Sequence, residues 1–326
     1  MFSNPIIVGT LGGIASALLF LGAAKGSGLA VPLLLFSPLP VLIVALGWLP
    51  LASVLATLAL AITLSLMADP VVGGVAALII AVPGCIAAYL YTLSRPAEEV
   101  GGPEGQIAWY PIGDTFARAL IVFSVSFVIV GVMSGSGQAE MEALVTEIFR
   151  TFIEANNANP QSGEILADLN EDTLASFAQS VARWMPVSLA GTWVAILVVN
   201  FTLAERITRS SGRLARPAPN WPDTLHLVPL YAGVFAVGVM MFAVGGPFAP
   251  IGGIVAGAFG TGFLLVGLAV IHSITRGMPA RGLLLVAAYG PLILFGFPAL
   301  LFVALGLAET FYGLRVRAAG KLNKSN

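Results

Sequence analysis

Charge is scarce in this chain. Only 10% of its 326 residues are Asp, Glu, Lys or Arg, against roughly 25% in a soluble domain. That excludes an ordinary water-facing surface, and with a net charge of -1 no nucleic-acid partner is expected. The single cysteine, Cys85, excludes an intrachain disulfide. It lies in an apolar run, so it is either a packing residue or, less commonly there, a reactive thiol. Only two histidines are present, His226 and His272, and no HExxH pattern accompanies them, so no metal site is expected. There is no GxxxxGK[ST] loop to hold a nucleotide and no GxSxG elbow to present a nucleophile. No cofactor is expected, and the chain is not expected to be an enzyme. The N-terminus lacks a basic region ahead of its first apolar segment, which reads as a retained helix rather than a cleaved signal.

What is abundant is oil. Hydrophobic residues make up 58% of the chain, with 37 glycines and 21 prolines, and the mean hydropathy is +0.95. Uncharged stretches of 18 or more residues recur from end to end, and each is a candidate transmembrane helix. The spacing predicts spans at 5–24, 30–47, 50–68, 71–93, 113–133, 186–204, 225–244 and 249–271. The run from Leu29 to Ala68 is forty residues. As one helix it would stretch about 60 Å, twice the hydrocarbon core, so it is divided near Gly47-Trp48-Leu49-Pro50. The last apolar run, 282–314, is divided at Phe295-Gly296-Phe297-Pro298 into 282–295 and 298–314, either two tilted crossings or a re-entrant hairpin. The expected fold is therefore all-α: a polytopic bundle of about ten spans with an extracytoplasmic pair of amphipathic helices.

The distribution of basic residues orients it. With ten spans and the N-terminus inside, twelve of the fifteen Lys and Arg fall on the cytoplasmic side, and only Lys25, Arg150 and Arg183 fall outside. The expected location is a bacterial cytoplasmic (inner) membrane, with both termini cytoplasmic and the lipid bilayer as the constant partner. Three regions follow: a five-span bundle over 1–133, an acidic extracytoplasmic insert over 134–185, and a second bundle with a basic tail over 186–326.

The insert carries two helical patterns. Met141, Leu144, Ile148 and Phe152 form one apolar stripe, and Leu169, Leu174, Phe177, Val181 and Trp184 form another. Asn170 is placed to cap the second helix and Pro186 to lie just past its end. The pair reads as a lid on the membrane domain or as a docking surface for a membrane or envelope protein partner.

Few polar residues lie at depth. Glu309 is six residues before Arg315, which suits either an interfacial pair or a binding role. Asn200 suits hydrogen bonding between helices. Asp114 and Arg118 are spaced to pair on one helix face. Gly9, Gly13 and Ala17, four apart, form a small-residue face for helix packing or for docking a subunit.

Pro38 and Pro40 interrupt the second span. Each proline removes a backbone donor and clashes with the preceding turn, and the residue before each avoids the α region. In lipid the freed carbonyls need partners from protein or water. The break is thus either a structural kink or part of a solute site, and the solute-binding candidates are Ser37, Pro38, Pro40, Asn200 and Glu309.

Ser37-Pro38-Leu39-Pro40, the Arg183-Trp184-Met185-Pro186 that ends the amphipathic segment, and the terminal stretch from Gly306 to Arg315 carry a family likeness. Through them the chain resembles the bacterial domain-of-unknown-function membrane family typified by YybS. That family is distantly similar to the S components of energy-coupling-factor transporters and to MreD. The resemblance implies that the Gly9, Gly13 and Ala17 face docks a coupling subunit, and it implies no catalytic residue. About four extra spans and the acidic insert depart from the S-component pattern. The functional expectation is a protein that binds or transports a small solute without its own ATPase. The alternative is a non-transporting scaffold for envelope or cell-division machinery.

Overall fold

The computed structural model describes residues 4–156 and 171–322, apart from positions 25, 27, 49 and 136. Seven of its helices are long and apolar enough to cross a membrane, and three shorter apolar helices accompany them. The outward faces show which solvent they meet. Leu11 and Leu18 on the first helix, and Val54, Leu58 and Ile62 on the fourth, are each more than half exposed. Such continuous apolar surface is tolerable in lipid and not in water. The chain is a multi-pass, helical membrane protein.

Helix α1 (Pro5–Ala24) is followed by α2 (Ala30–Phe36), α3 (Leu39–Gly47) and α4 (Pro50–Met67). The small-residue face of α1 is spent inside the chain. A Cβ on Gly9 would lie 2.6 Å from the carbonyl oxygen of Ala52, and one on Gly13 would lie 2.1 Å from that of Ala56. The backbones of α1 and α4 touch only because those side chains are missing, and Ala17 is buried in the same seam.

Between α2 and α3 the hydrogen-bond ladder stops, but the path does not. Ser37 and Pro38 both stay in the right-handed helical region, where sequence reasoning expects the residue before a proline to be extended. The reason is local. Pro38 has no N–H for Leu34, and Ser37 takes over that carbonyl with both its backbone N–H and its hydroxyl, at 3.2 and 2.8 Å. Ser37 and Pro38 are buried, so the interruption faces protein rather than lipid.

The fourth span begins with Asp69, whose carboxylate accepts the N–H of Val71 ahead of Pro70 at the first position of α5 (Pro70–Ala76). A π-turn, Ala77–Ala81, joins α5 to α6 (Val82–Thr92). Pro83 explains it: a wider turn removes the clash between its ring and the turn before. A small antiparallel hairpin follows, β1 (Ser94–Pro96) and β2 (Ile107–Trp109), with Ser94 opposite Trp109. It departs from the purely helical expectation and delivers the chain into α7 (Ile112–Met133). Arg118 lies over the Tyr110 ring at 5.2 Å. No ion pair joins it to Asp114 among the described residues, contrary to the i,i+4 expectation.

The two segments read as amphipathic fold as α8 (Gln138–Asn156) and the first turns of α9 (Glu171–Ser210), and they pack on each other along a seam that takes in only part of each apolar stripe. Val145, Ala178 and Ala182 are buried between them, with Met141, Phe149, Val181 and Met185 alongside. Leu144, Ile148, Phe152, Phe177 and Trp184 are about half exposed. Two alanines let the backbones close, and small residues carry little weight in a stripe read from large ones. Leu169 and Asn170 lie outside the described residues. Pro186 does not end the helix: α9 runs through it for forty residues, about 60 Å. Arg206 and Arg209 are thus helical rather than in a loop.

Beyond a short turn, α10 (Trp221–Thr224), come α11 (Pro229–Val244), α12 (Ala249–Ile274), α13 (Arg281–Phe295), α14 (Ala299–Tyr312) and α15 (Leu314–Leu322). α12 is the hub, packed against α7, α9, α11 and α14. Its glycines make that possible. A Cβ on Gly257 would lie 2.2 Å from the carbonyl oxygen of Val187, and one on Gly267 would lie 2.0 Å from that of Phe302. α13 is the opposite case, with no buried residue along its length.

Candidate functional site: an apolar cavity with a polar cap

Among the described residues the most buried acid is Glu205, 2% exposed, near the end of α9. Three donors hold it. The Tyr91 hydroxyl donates to Oε1 at 2.8 Å, Arg209 donates to the same oxygen, and the indole N–H of Trp221 donates to Oε2 at 3.3 Å. Arg216, also buried, donates to the carbonyl of Tyr91 at 2.7 Å and lies 4.3 Å over its ring. Tyr91 in turn stacks on Trp221 with centroids 6.3 Å apart. A buried carboxylate is tolerable only when paired and hydrogen-bonded like this. The network joins α6, α9 and α10 at one end of the bundle.

Tyr91 and Trp221 also close one end of a cavity of about 330 Å³. Its walls come from α6, α7, α9 and α12, and Tyr289 of α13 completes them. The wall is apolar in character: Ala87, Ala119, Phe123, Val194 and Leu265 are typical. Each polar side chain on it already makes a hydrogen bond within the protein. Thr115 donates to the carbonyl of Pro111, Thr202 to that of Val199, and His272 pairs with the Tyr289 hydroxyl at 3.0 Å. The volume falls in the range of small-molecule sites, roughly 300–1,000 Å³. Nothing on the wall asks for a charged ligand.

The turn α10 plugs the same end and is tied from three directions. Trp221 is held by Glu205. Asp223 accepts from Arg276 at 2.8 Å and from Ser273 at 3.0 Å. Arg315 donates to the carbonyls of Pro222 and Leu225 at 2.6 and 2.9 Å. Arg276, through its hydrogen bond, holds the Asp223 carboxyl below the usual aspartate range, and burial lowers the basicity of Arg216. No group of three His, Cys, Asp or Glu residues able to hold a metal occurs among the described residues.

The family model described as predicted membrane protein DUF2232 matches residues 14–310. The chain belongs to that family. The matched stretch holds the α2–α3 kink, Glu205 with its donors, and the whole cavity wall. No curated protein and no solved structure matches.

The residues singled out from sequence are not brought to the cavity. Asn200, 1% exposed, lies on another face of α9 and donates to the carbonyls of Leu35 and Ile196 at 2.7 and 2.8 Å. That links it to the break at Ser37, Pro38 and Pro40. Glu309 is elsewhere, accepting from Arg315 Nε at 2.8 Å and from its backbone N–H at 3.1 Å. The pair positions Arg315 to grip α10, so Glu309 reaches the cavity only through the plug. Gly9, Gly13 and Ala17 face α4, as described above. Glu205 escaped sequence reasoning. It sits among arginines in a stretch that reads as a basic loop, and its i,i+4 spacing to Arg209 was the available signal.

Proposed function

We propose that this membrane protein binds a small, largely apolar solute in the cavity between α6, α7, α9 and α12, and moves it or presents it to other machinery. One observation carries the reading: a void of about 330 Å³ whose polar side chains are all engaged elsewhere. The plug at α10 and the polar cap on Glu205 give that void a closable end. No nucleotide-binding loop is in the sequence, so movement draws on a separate ATPase or an ion gradient. We place the protein in the bacterial inner membrane with ten crossings and both termini cytoplasmic, because that arrangement puts twelve of fifteen basic residues inside.

The test is binding of an apolar fluorescent probe, 1-aminoanthracene, to the purified protein. Wild type is expected to bind it saturably. Ala119→Phe, which fills the cavity from α7, is expected to weaken binding at least tenfold while the protein still melts cooperatively. Equal binding by both proteins would refute the site.

The scaffold reading rests on a different observation. Leu144, Ile148 and Phe152 lie half exposed along one face of α8, with Phe177 nearby on α9. A photo-crosslinker at position 148 that captures one defined envelope protein, with no probe binding to the cavity, would favour it.

A further inference from the structure

The apolar cavity has one loosely held wall. α6, α7, α9 and α12 pack on one another around it, and the turn α10 is tied down at its end. α13 is different. It contributes Tyr289 to the wall and buries no residue along its length. Its half-buried side, Leu285, Ala288, Tyr289 and Leu292, follows one helical stripe. Elsewhere on it Leu283, Val286, Ile293 and Leu294 are each more than two-thirds exposed, a surface suited to lipid. Among the described residues, the one side-chain hydrogen bond from α13 to another helix joins the Tyr289 hydroxyl to Nε2 of His272 at 3.0 Å, with the two rings edge to face. Both residues line the cavity, so breaking that bond opens the wall itself. The helix is also set off at both ends. Gly277 and Gly296, at φ of +83° and +70°, break the helical path on either side, and Pro291 removes a hydrogen bond from the interior.

We propose that the solute enters this cavity sideways from the bilayer, past α13, and that the Tyr289–His272 hydrogen bond is the latch. The inference rests on the reading that the cavity binds an apolar solute, and it narrows the class to a neutral molecule dissolved in lipid. Two routes compete. Entry at the capped end displaces α10 and its ties to Glu205, Arg276 and Arg315. Entry past α13 gives up one hydrogen bond. Little else is lost, because lipid tails are as apolar as the side chains that α13 would leave behind. Neutrality follows from the wall, where the polar side chains are already engaged and a buried charge would find no partner.

The experiment uses the full chain in phosphatidylcholine vesicles with 1-aminoanthracene as the probe. Energy transfer from tryptophan, Trp221 being on the cavity wall, reads entry after mixing and release after dilution into empty vesicles. Tyr289→Phe keeps the ring in the wall and removes the hydroxyl. Entry and release are both expected to rise about fivefold with Kd unchanged, as for a gate whose closed state loses one hydrogen bond. His272→Leu removes the other half of the latch and is expected to accelerate exchange equally, with the double variant no faster than either single one. Asp223→Asn loosens the plug and is expected to leave both rates as in wild type. Faster exchange in Asp223→Asn alone would assign entry to the capped end and overturn the proposal. So would wild-type rates in both latch variants, or a faster release with weaker affinity and unchanged entry, the mark of an ordinary wall residue. A photo-crosslinker in place of Val286 is expected to capture lipid; capture of a second copy of the chain would show that face covered by protein and would also overturn it. Wild type that binds no probe sinks the cavity reading and this inference together, whereas binding with unaltered rates in the latch variants sinks this inference alone.

Discussion

The side-chain amide of Asn200 donates to the backbone carbonyl of Leu35 at 2.7 Å, across 165 positions of sequence. Leu35 sits one turn before Pro38, in the part of the second span where the helical ladder fails. In lipid no water is at hand to take up a stranded carbonyl, and α9 provides the donor instead. The kink and Asn200 are therefore one device, which locks α2 and α3 onto α9. Asn200→Ala is expected to lower stability by about 1–2 kcal/mol, read as a drop in melting temperature in detergent. A variant as stable as wild type would mean that the carbonyl finds another partner.

The close contact of α12 with α14 makes a sharper prediction. A Cβ on Gly267 would lie 2.0 Å from the Phe302 carbonyl oxygen, and one on Gly306 would lie 2.0 Å from that of Phe263. Both obstacles are backbone and neither can rotate away. Gly267→Ala and Gly306→Ala are each expected to cost about 1–3 kcal/mol or more through forced separation of the helices. Gly290, in α13, meets nothing within 4 Å. Gly290→Ala is expected to be neutral or to stabilise by up to about 1 kcal/mol through helix propensity. Equal melting temperatures for Gly267→Ala and Gly290→Ala would contradict the packing.

Glu205 is the residue whose loss the polar cap tolerates least. Glu205→Gln removes the charge that Arg209 and Arg216 face and one acceptor for Tyr91 or Trp221. Breaking a buried pair by neutralising one partner costs about 3–5 kcal/mol, and the exposure of Arg209 on one side, 28%, pulls the expectation to the lower end. Apolar-probe binding is expected to fall with it, because Tyr91 and Trp221 form the end of the cavity. Stability and probe binding both unchanged would remove the cap from the argument.

These cases show which features were legible in the sequence. Long uncharged runs announce membrane helices because lipid leaves almost no alternative, and Gly296 and Pro298 divide the last run where the helices part. The Pro38 and Pro40 interruption was readable for the same reason, but its partner was not. Asn200 is one polar residue in an apolar span, and only the packing of α9 on α3 reveals which carbonyl it meets. Glu205 was hidden by its neighbours, since Arg206 and Arg209 give its stretch the composition of a loop. Met141 and Val181 of the two stripes pack at the α8–α9 seam, whereas Ala178 and Ala182, which let the backbones close there, go unnoticed in a stripe drawn through large residues. The cavity had no sequence signature at all. It arises from residues of six separate elements, each ordinary for a core.

Orientation gives a fourth test. Cys85 lies among apolar residues, its sulfur 3.6 Å from the Thr57 hydroxyl, so Cys85→Ala gives a background without native thiols. Cysteines placed at Glu140 and Arg317 should then label from opposite sides of the membrane. The acidic helix is expected to react with an impermeant maleimide added outside intact cells, and the tail only after lysis. Labelling of Glu140→Cys only after lysis would invert the topology.

The last prediction concerns the plug and acid. Asp223 accepts hydrogen bonds from Arg276 and Ser273, and Arg276 depresses its pKa in the folded protein. A depressed carboxylate contributes stability that is present above its unfolded pKa, about 3.9, and is lost as pH falls through the folded value. Wild type is thus expected to melt higher than Asp223→Asn at pH 7, and the gap should close only as the pH drops below about 4. Asp223 and Arg276 are both substantially exposed, at 40% and 46%, so solvent screens the pair and added salt should shrink the gap at pH 7. A difference that persists undiminished to pH 3 would assign the effect of Asp223 to packing of α10 rather than to its charge.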